Sequence, residues 1–264
     1  MGSATSQALA TVRSALLAQG VSDLASGQAL LGAGRVVGGS QQLAHAIADP
    51  GADPETKASL ITAVFSSTVT PAALALLQEI GRQRWSRAAD VLVGIEEIGL
   101  RVIAASAPAE VSVDDELFSI ARTVSENSEL ELALSSKLGD NAGKVTLLQK
   151  LLGGRASEQT LAILAHLVQQ PRGRRMGELL RHAASVVADE AGYGVAVVTS
   201  AVPLPEAQVQ RLASSLTAKY RRNIRINQVV DPTLIGGLRV QVGDDVIDGS
   251  IAKRLGDLRL QLAG

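Results

Sequence analysis

Shifted by 87 positions, the chain superposes on itself. The stretch from about Asp23 to Arg101 aligns without a gap on that from about Glu110 to Ala188, and a repeat of this length requires one supersecondary unit to be built twice. Leu30 falls on Leu117, Arg35 on Arg122, Leu43 on Leu130, Lys57 on Lys144, Leu60 on Leu147, Leu74 on Leu161, Leu77 on Leu164, Arg87 on Arg174 and Leu92 on Leu179. Leucine matches alone carry little weight in a leucine-rich chain. The same frame also superposes the helix breaks, Thr70 on Ser157 among them.

The repeated unit reads as helical. A leading helix starts between Ser3 and Ser6 and runs to Gln19, with Leu9, Val12, Leu16 and Leu17 on one face and Gly20 as its stop. A second helix covers about Val21 to Val37. Asp49-Pro50-Gly51 closes a third. Asp53-Pro54-Glu55 then supplies an N-cap, a first-turn proline and a carboxylate that suits the helix dipole, ahead of Leu60, Ile61, Val64 and Phe65. Thr70-Pro71 repeats the device before Leu74, Leu76, Leu77 and Ile80. A long helix from about Ala88 to Ala105 follows, with Val91, Leu92, Ile95, Ile98 and Val102 on its inward stripe. The expected fold is therefore mainly α: a six-helix bundle over 1–105 and a second helical bundle over 106–190, related to the first by internal duplication.

Composition narrows the function classes. Hydrophobic residues make up 46% of the chain and aromatics only 2%, so Leu, Val, Ile and Ala must build the cores. A net charge of -1 offers no global attraction to nucleic acid or to an anionic membrane. Cysteine is absent, which removes disulfides, thiol nucleophiles and thiolate metal sites. No apolar run approaches the roughly 20 residues that span a bilayer, and the N-terminus has no signal-peptide pattern.

Chemistry finds little support in the residues. His45, His166 and His182 lack a ligand spacing, so no metal is expected. Asp244, Asp245 and Asp248 lack the regular oxygen spacing of a calcium loop and read as turn residues. The basic cluster Arg172, Arg174, Arg175 and Arg181 has no interleaved aromatics and reads as a solvated turn or a protein-contact patch rather than a nucleic-acid site. Gly32-Ala33-Gly34-Arg35-Val36-Val37-Gly38 resembles a degenerate dinucleotide loop. That fingerprint needs a preceding strand, and ASGQALL before it reads as helix, so the glycines suit helix crossings. A small-ligand or nucleotide-binding protein built on Gly32–Gly39 is the alternative reading. No cofactor is expected.

At Gly192-Tyr193-Gly194 the period changes from helical to alternating. Val195, Val197 and Thr199 form one strand face, Pro205 starts a helix carrying Val209, Leu212, Leu216 and Tyr220, and Ile224, Ile226, Gln228 and Val230 form the next strand. Gly236 and Gly237 suit a bulge or positive φ ahead of a hairpin in which Leu238, Val240 and Val242 alternate with Arg239 and Gln241, and Gly243-Asp244-Asp245 turns it. Ser250 reads as the N-cap of a last helix with Ile251, Leu255, Leu258 and Leu262 as its stripe. Residues 191–264 thus read as a small α+β domain of three or four strands and two helices.

These residues carry a resemblance. IGGLRVQVGDDVIDGSIAKRL, with Gly236, Gly237, Gly243, Asp248, Gly249 and Ser250 as its fixed points, resembles the C-terminal signature of the δ subunit of F-type ATP synthases, counterpart of the mitochondrial oligomycin-sensitivity-conferring protein. The likeness extends upstream through Ser200 to Leu204 and IRINQVVDP. A second bundle resembles the enlarged δ of actinobacteria, which in some lineages is the δ part of a fusion with a b-type subunit. The resemblance implies a non-catalytic peripheral-stalk subunit on the cytoplasmic side of the membrane, attached only through the complex. It implies residues 1–105 as the usual head-binding bundle and 106–190 as an insertion. N-terminal segments of α subunits would dock along Leu9, Val12, Leu16, Leu74, Leu77 and Val91, and the C-terminal ends of b subunits along Ile251, Arg254, Leu255, Leu258 and Arg259.

Overall fold

The computed structural model describes residues 2–135, 141–243 and 245–249. It divides into two compact units, 1–187 and 188–264. Six helices open the first: α1 (Ser3–Gln19), α2 (Leu24–Gly39), α3 (Gln41–Ala48), α4 (Pro54–Phe65), α5 (Pro71–Arg82) and α6 (Ala88–Ala105). Then come α7 (Val113–Glu126), α8 (Ser128–Ser135), α9 (Asn141–Leu152), α10 (Glu158–Gln169) and α11 (Met176–Glu190).

The helix starts follow local capping chemistry, and the same chemistry recurs at the expected offset. Asp53 accepts from the N–H groups of Glu55 and Thr56 with Pro54 as the first helical residue of α4. Helices α3, α4 and α5 have the lengths of α8, α9 and α10 and begin 87 residues earlier. Ser40 Oγ accepts from Leu43 N at 3.2 Å, and Asn127 Oδ1 accepts from Leu130 N at 3.1 Å. Thr70 Oγ1 accepts from Ala73 N, and Ser157 Oγ from Thr160 N, both at 3.2 Å. Burial follows the caps: Leu30 and Leu117, Leu76 and Ile163, and Leu77 and Leu164 are interior pairs.

Where the sequence suggests two separate helical regions, contacts join them into one unit, and the reason is α6. Shifted by the same offset, α1 falls on 90–106, which is α6 itself within two residues. Helix α6 closes the first core with Val91, Ile95, Ile98 and Val102. It also opens the second with Leu100 and Ile103, against Leu117, Ile163, Leu164 and Leu180. A helix buried on every side is what such double duty requires.

Close approach of α2 to α6 explains the glycines. A β carbon on Gly27 would stand 2.4 Å from Ile103 Cγ1, one on Gly99 2.6 Å from Leu31 Cδ2, and one on Gly34 3.3 Å from Ile95 Cγ2. Gly32, Gly34, Gly38 and Gly39 all lie within the continuous helix α2, and among the described residues no strand precedes it. The strand–turn–helix context of a dinucleotide loop is therefore missing.

The second unit holds β1 (Gly194–Ser200), α12 (Glu206–Tyr220), β2 (Ile224–Val230), β3 (Leu238–Val242) and β4 (Asp245–Asp248), in sheet order β2-β1-β3-β4. β1 and β2 run parallel across the α12 crossover, while β3 and β4 pair antiparallel. Ala196, Val198, Ile224, Val240 and Leu216 form its core, so the face of β1 that meets this core is the one opposite Val195, Val197 and Thr199. Gly236 and Gly237 take φ of 65° and 86°, values that a β carbon disfavours.

Two substitutions should move stability in opposite directions. A β carbon on Gly94 would enter the Trp85 ring at 2.3 Å, whereas at Gly32 its nearest neighbour is the Arg35 guanidinium at 3.6 Å. Alanine gains about 1 kcal/mol of helix propensity at either position; overpacking costs about 1–3 kcal/mol at the first. Thermal melts should show Gly32→Ala raising the midpoint and Gly94→Ala lowering it.

Candidate functional site

Burial redistributes the residues singled out for docking. Leu9, Val12, Leu16, Leu77 and Val91 are interior members of the first core, and Leu74 packs half-buried against it. Their apolar spacing arises because they hold the bundle together. The outward face of α1 is small and polar (Ser6, Gln7, Ala10, Thr11 and Ser14), with Leu17 as its one large apolar exception at 74% exposure. Beside it, Ser3, Gln7, Thr11, Gln83 and Arg84 line a polar cleft of 690 Å³.

The apolar trough lies on the other copy. Ile120 and Val124 of α7, Leu130 and Leu134 of α8, and Leu148, Leu151 and Leu152 of α9 line a groove of 460 Å³. Leu147 and Leu151 remain 41% and 49% exposed on α9. No periodicity distinguishes these leucines from core leucines. Their availability depends on how far α7, α8 and α9 stand apart.

Between the two cores lies a cluster of charges. Glu96 of α6 is paired with Arg172 and, at 3.3 Å, with Arg174, both from the turn between α10 and α11. Its neighbour Glu97 accepts from Arg13 Nε of α1 at 2.6 Å and from Arg101 at 3.0 Å. Arg35 Nη1 stands 3.3 Å from His166 Nδ1. A guanidinium only donates, so Nδ1 accepts and the imidazole proton sits on Nε2. That atom faces Glu96 Oε2 at 3.6 Å, too far for a hydrogen bond. Within the basic cluster read from sequence, Arg172 and Arg174 are thus spent on Glu96, while Arg181 donates to Ser125 Oγ at 3.3 Å on the exposed side.

Burial, reinforced by the nearby Arg35 and Arg174 charges, pushes His166 down to about 4. Burial likewise lowers His182. Among the described residues, no group of three His, Asp or Glu side chains is placed to hold a metal. No helix among them is long and apolar enough to cross a membrane.

In the C-terminal signature, Gly243 turns the hairpin with φ 59°. Asp248 pairs with Arg239 in register, and Gly249 N donates to Leu238 O at 2.8 Å. Asp245 accepts from Tyr220 Oη at 3.2 Å. Ser250 and the proposed stalk contacts Ile251, Arg254, Leu255, Leu258 and Arg259 lie outside the described residues.

These features define the class first: a mainly helical protein with a small four-stranded module, whose buried charges serve its own packing and whose outer faces offer grooves. Comparison supplies the family. Residues 100–262 match the family model described as the ATP synthase delta (OSCP) subunit. The ATP synthase subunit delta of Leifsonia xyli subsp. xyli is 50% identical over 265 positions, covering 100% of both chains. That of Thermobifida fusca is 39% identical, over 83% of this chain and 82% of its own. A chain in the Toxoplasma gondii mitochondrial ATP synthase hexamer superposes with a TM-score of 0.43 at 20% identity, over 64% of this chain and 95% of that one; a likeness that distant carries no argument. The chain belongs to the ATP synthase delta (OSCP) subunit family.

His166 gives stability a defined pH dependence. The unfolded imidazole takes up a proton near 6.5, and the folded one does so only near 4. In between, the unfolded chain binds more protons, so stability falls as pH drops across that window. The full shift corresponds to roughly 3 kcal/mol. Denaturant titrations from pH 7 to pH 4 should show a smaller loss in His166→Gln than in the parent chain.

Proposed function

We propose that this protein is a stator subunit of an F-type ATP synthase, without chemistry of its own, and that it joins the catalytic head to the b subunits of the peripheral stalk. The observation that carries this reading is the full-length, 50% identical relationship to a protein named ATP synthase subunit delta. The rotary enzyme couples proton flow to synthesis only when its head is kept from turning with the rotor. A rigid adaptor between head and stalk meets that need, and its place is peripheral, on the cytoplasmic side. The second helical bundle is an internal duplicate of the first.

Docking of amphipathic α-subunit segments requires an apolar trough that takes anchors at i, i+3, i+4 and i+7. The groove formed by α7, α8 and α9 supports such docking, because Leu151 is half-exposed there with Leu130 and Leu152 partly so, whereas Leu9, Val12 and Leu16 of α1 are consumed by the core. The family model favours the same half, since its match begins inside α6 and runs through α7 to α11. We therefore assign head binding to α7–α9 rather than to residues 1–105. The C-terminal unit, with Ile251, Arg254, Leu255, Leu258 and Arg259, receives the b subunits.

Calorimetric titration of the full chain with a peptide covering the N-terminus of the same organism's α subunit tests this assignment. Leu151→Glu should weaken binding about tenfold or more, since it places a charge in an apolar groove, and Leu17→Glu on α1 should leave binding unchanged. The reverse pattern would return the head to the first bundle. A parent chain that binds no α peptide would remove the head-docking role from the helical unit.

A further inference from the structure

The two copies differ where each turns into its last helix. At the shared offset, Trp85 of the first copy corresponds to Arg172 of the second. Trp85 is buried, donates its indole N–H to Ile80 O at 2.9 Å and packs on Gly94 of α6. That turn is held by an apolar plug. Arg172 instead reaches the other side of α6 and pairs with Glu96, whose side chain is 7% exposed against 23% for Arg172. Arg174 joins it, and Gln170 Nε2 donates across the same seam to Gly34 O of α2 at 3.4 Å.

We propose that Glu96, Arg172 and Arg174 form an ionic latch that fixes the α10–α11 turn, and with it the second copy, in one orientation on the shared helix α6. A buried ion pair contributes little net stability, because desolvation offsets attraction, but its directional geometry can select one register. Apolar packing of Leu31, Leu100 and Ile103 holds the seam closed without such directionality. Several charges face the latch, Glu178 of α11 among them through Arg174. Arg35 from α2 and the neutral His166 from α10 lie beside it, and His182 of α11 is near enough to feel Arg174, Arg172 and Glu97. With Glu96 neutral, Arg172 and Arg174 would lose the carboxylate they share on α6, Glu178 of α11 would act on Arg174 without anchoring it to α6, and the turn would leave α6. Its mechanical importance rests on the stator reading, since an adaptor under torque must hold its parts at fixed angles. The latch itself is independent of that reading.

The turn carries its own reporter, because trypsin cuts after Arg172, Arg174 and Arg175. Limited trypsinolysis of the full chain, with fragments identified by mass, should show the turn in Glu96→Gln cut about tenfold faster or more than in the parent, reflecting local opening. Sites in α1–α5 should keep their rates. Glu97→Gln, which severs Arg13 and Arg101 but not the turn, should leave the turn protected. Arg172→Ala provides the same test from the surface side, read by amide hydrogen exchange over 170–176, should Glu96→Gln fail to fold. Equal turn cleavage in Glu96→Gln and parent would overturn the latch. So would acceleration spread uniformly over all sites, which would make Glu96 a general stabiliser. Failure of α-peptide binding, by contrast, would count only against the stator reading.

Discussion

The helical unit depends on one helix being buried on all sides. Helix α6 serves as the last helix of one core and the first of the next, so from Gly94 to Ile103 it has no solvent face on which to place charges. It nevertheless carries Glu96, Glu97 and Arg101, all buried. Each acid is tolerated because a cation from a different element meets it: Arg172 and Arg174 from the α10–α11 turn, and Arg13 from α1 together with Arg101 from α6 itself. Adjacent positions on a helix point about 100° apart, so the two acids reach opposite neighbours. One shared helix thereby ties both copies together without a linker.

Repetition at the level of sequence did not produce two equal bundles. Caps, helix lengths and interior leucines recur, because they depend on local chemistry that each copy carries complete. The surfaces diverge. The first copy closes its last turn with Trp85, and the second with an ion cluster. Leu9, Val12 and Leu16 of α1 are absorbed by their bundle, whereas α7, α8 and α9 leave leucines facing a groove. The two halves of the helical unit therefore offer distinct faces, and the proposed docking of the head follows open apolar surface rather than order along the chain.

Much of the fold was legible because its signals are short-range. Asp53-Pro54, Thr70-Pro71, Gly20 and the alternation of Leu238, Val240 and Val242 each state a local conformation, and the structure has those conformations. The Gly32–Gly39 run was legible by exclusion, since helical residues precede it. Exposure was not. Leu9 and Leu151 have the same chemistry and the same helical spacing; only the packing of neighbouring helices buries one and half-exposes the other.

By itself, the sequence determined the helical repeat and its offset, the change to alternating strands after Gly192, the glycine pair Gly236 and Gly237 ahead of the hairpin, the turn at Gly243, and the family signature in the final stretch. Tertiary structure alone decided that α6 belongs to two cores, that Glu96 meets arginines some eighty residues away, and that the apolar groove opens on the second copy. The division follows from range. Backbone conformation and capping are set by neighbours a few residues apart, whereas burial and charge pairing are set by elements that only folding brings together.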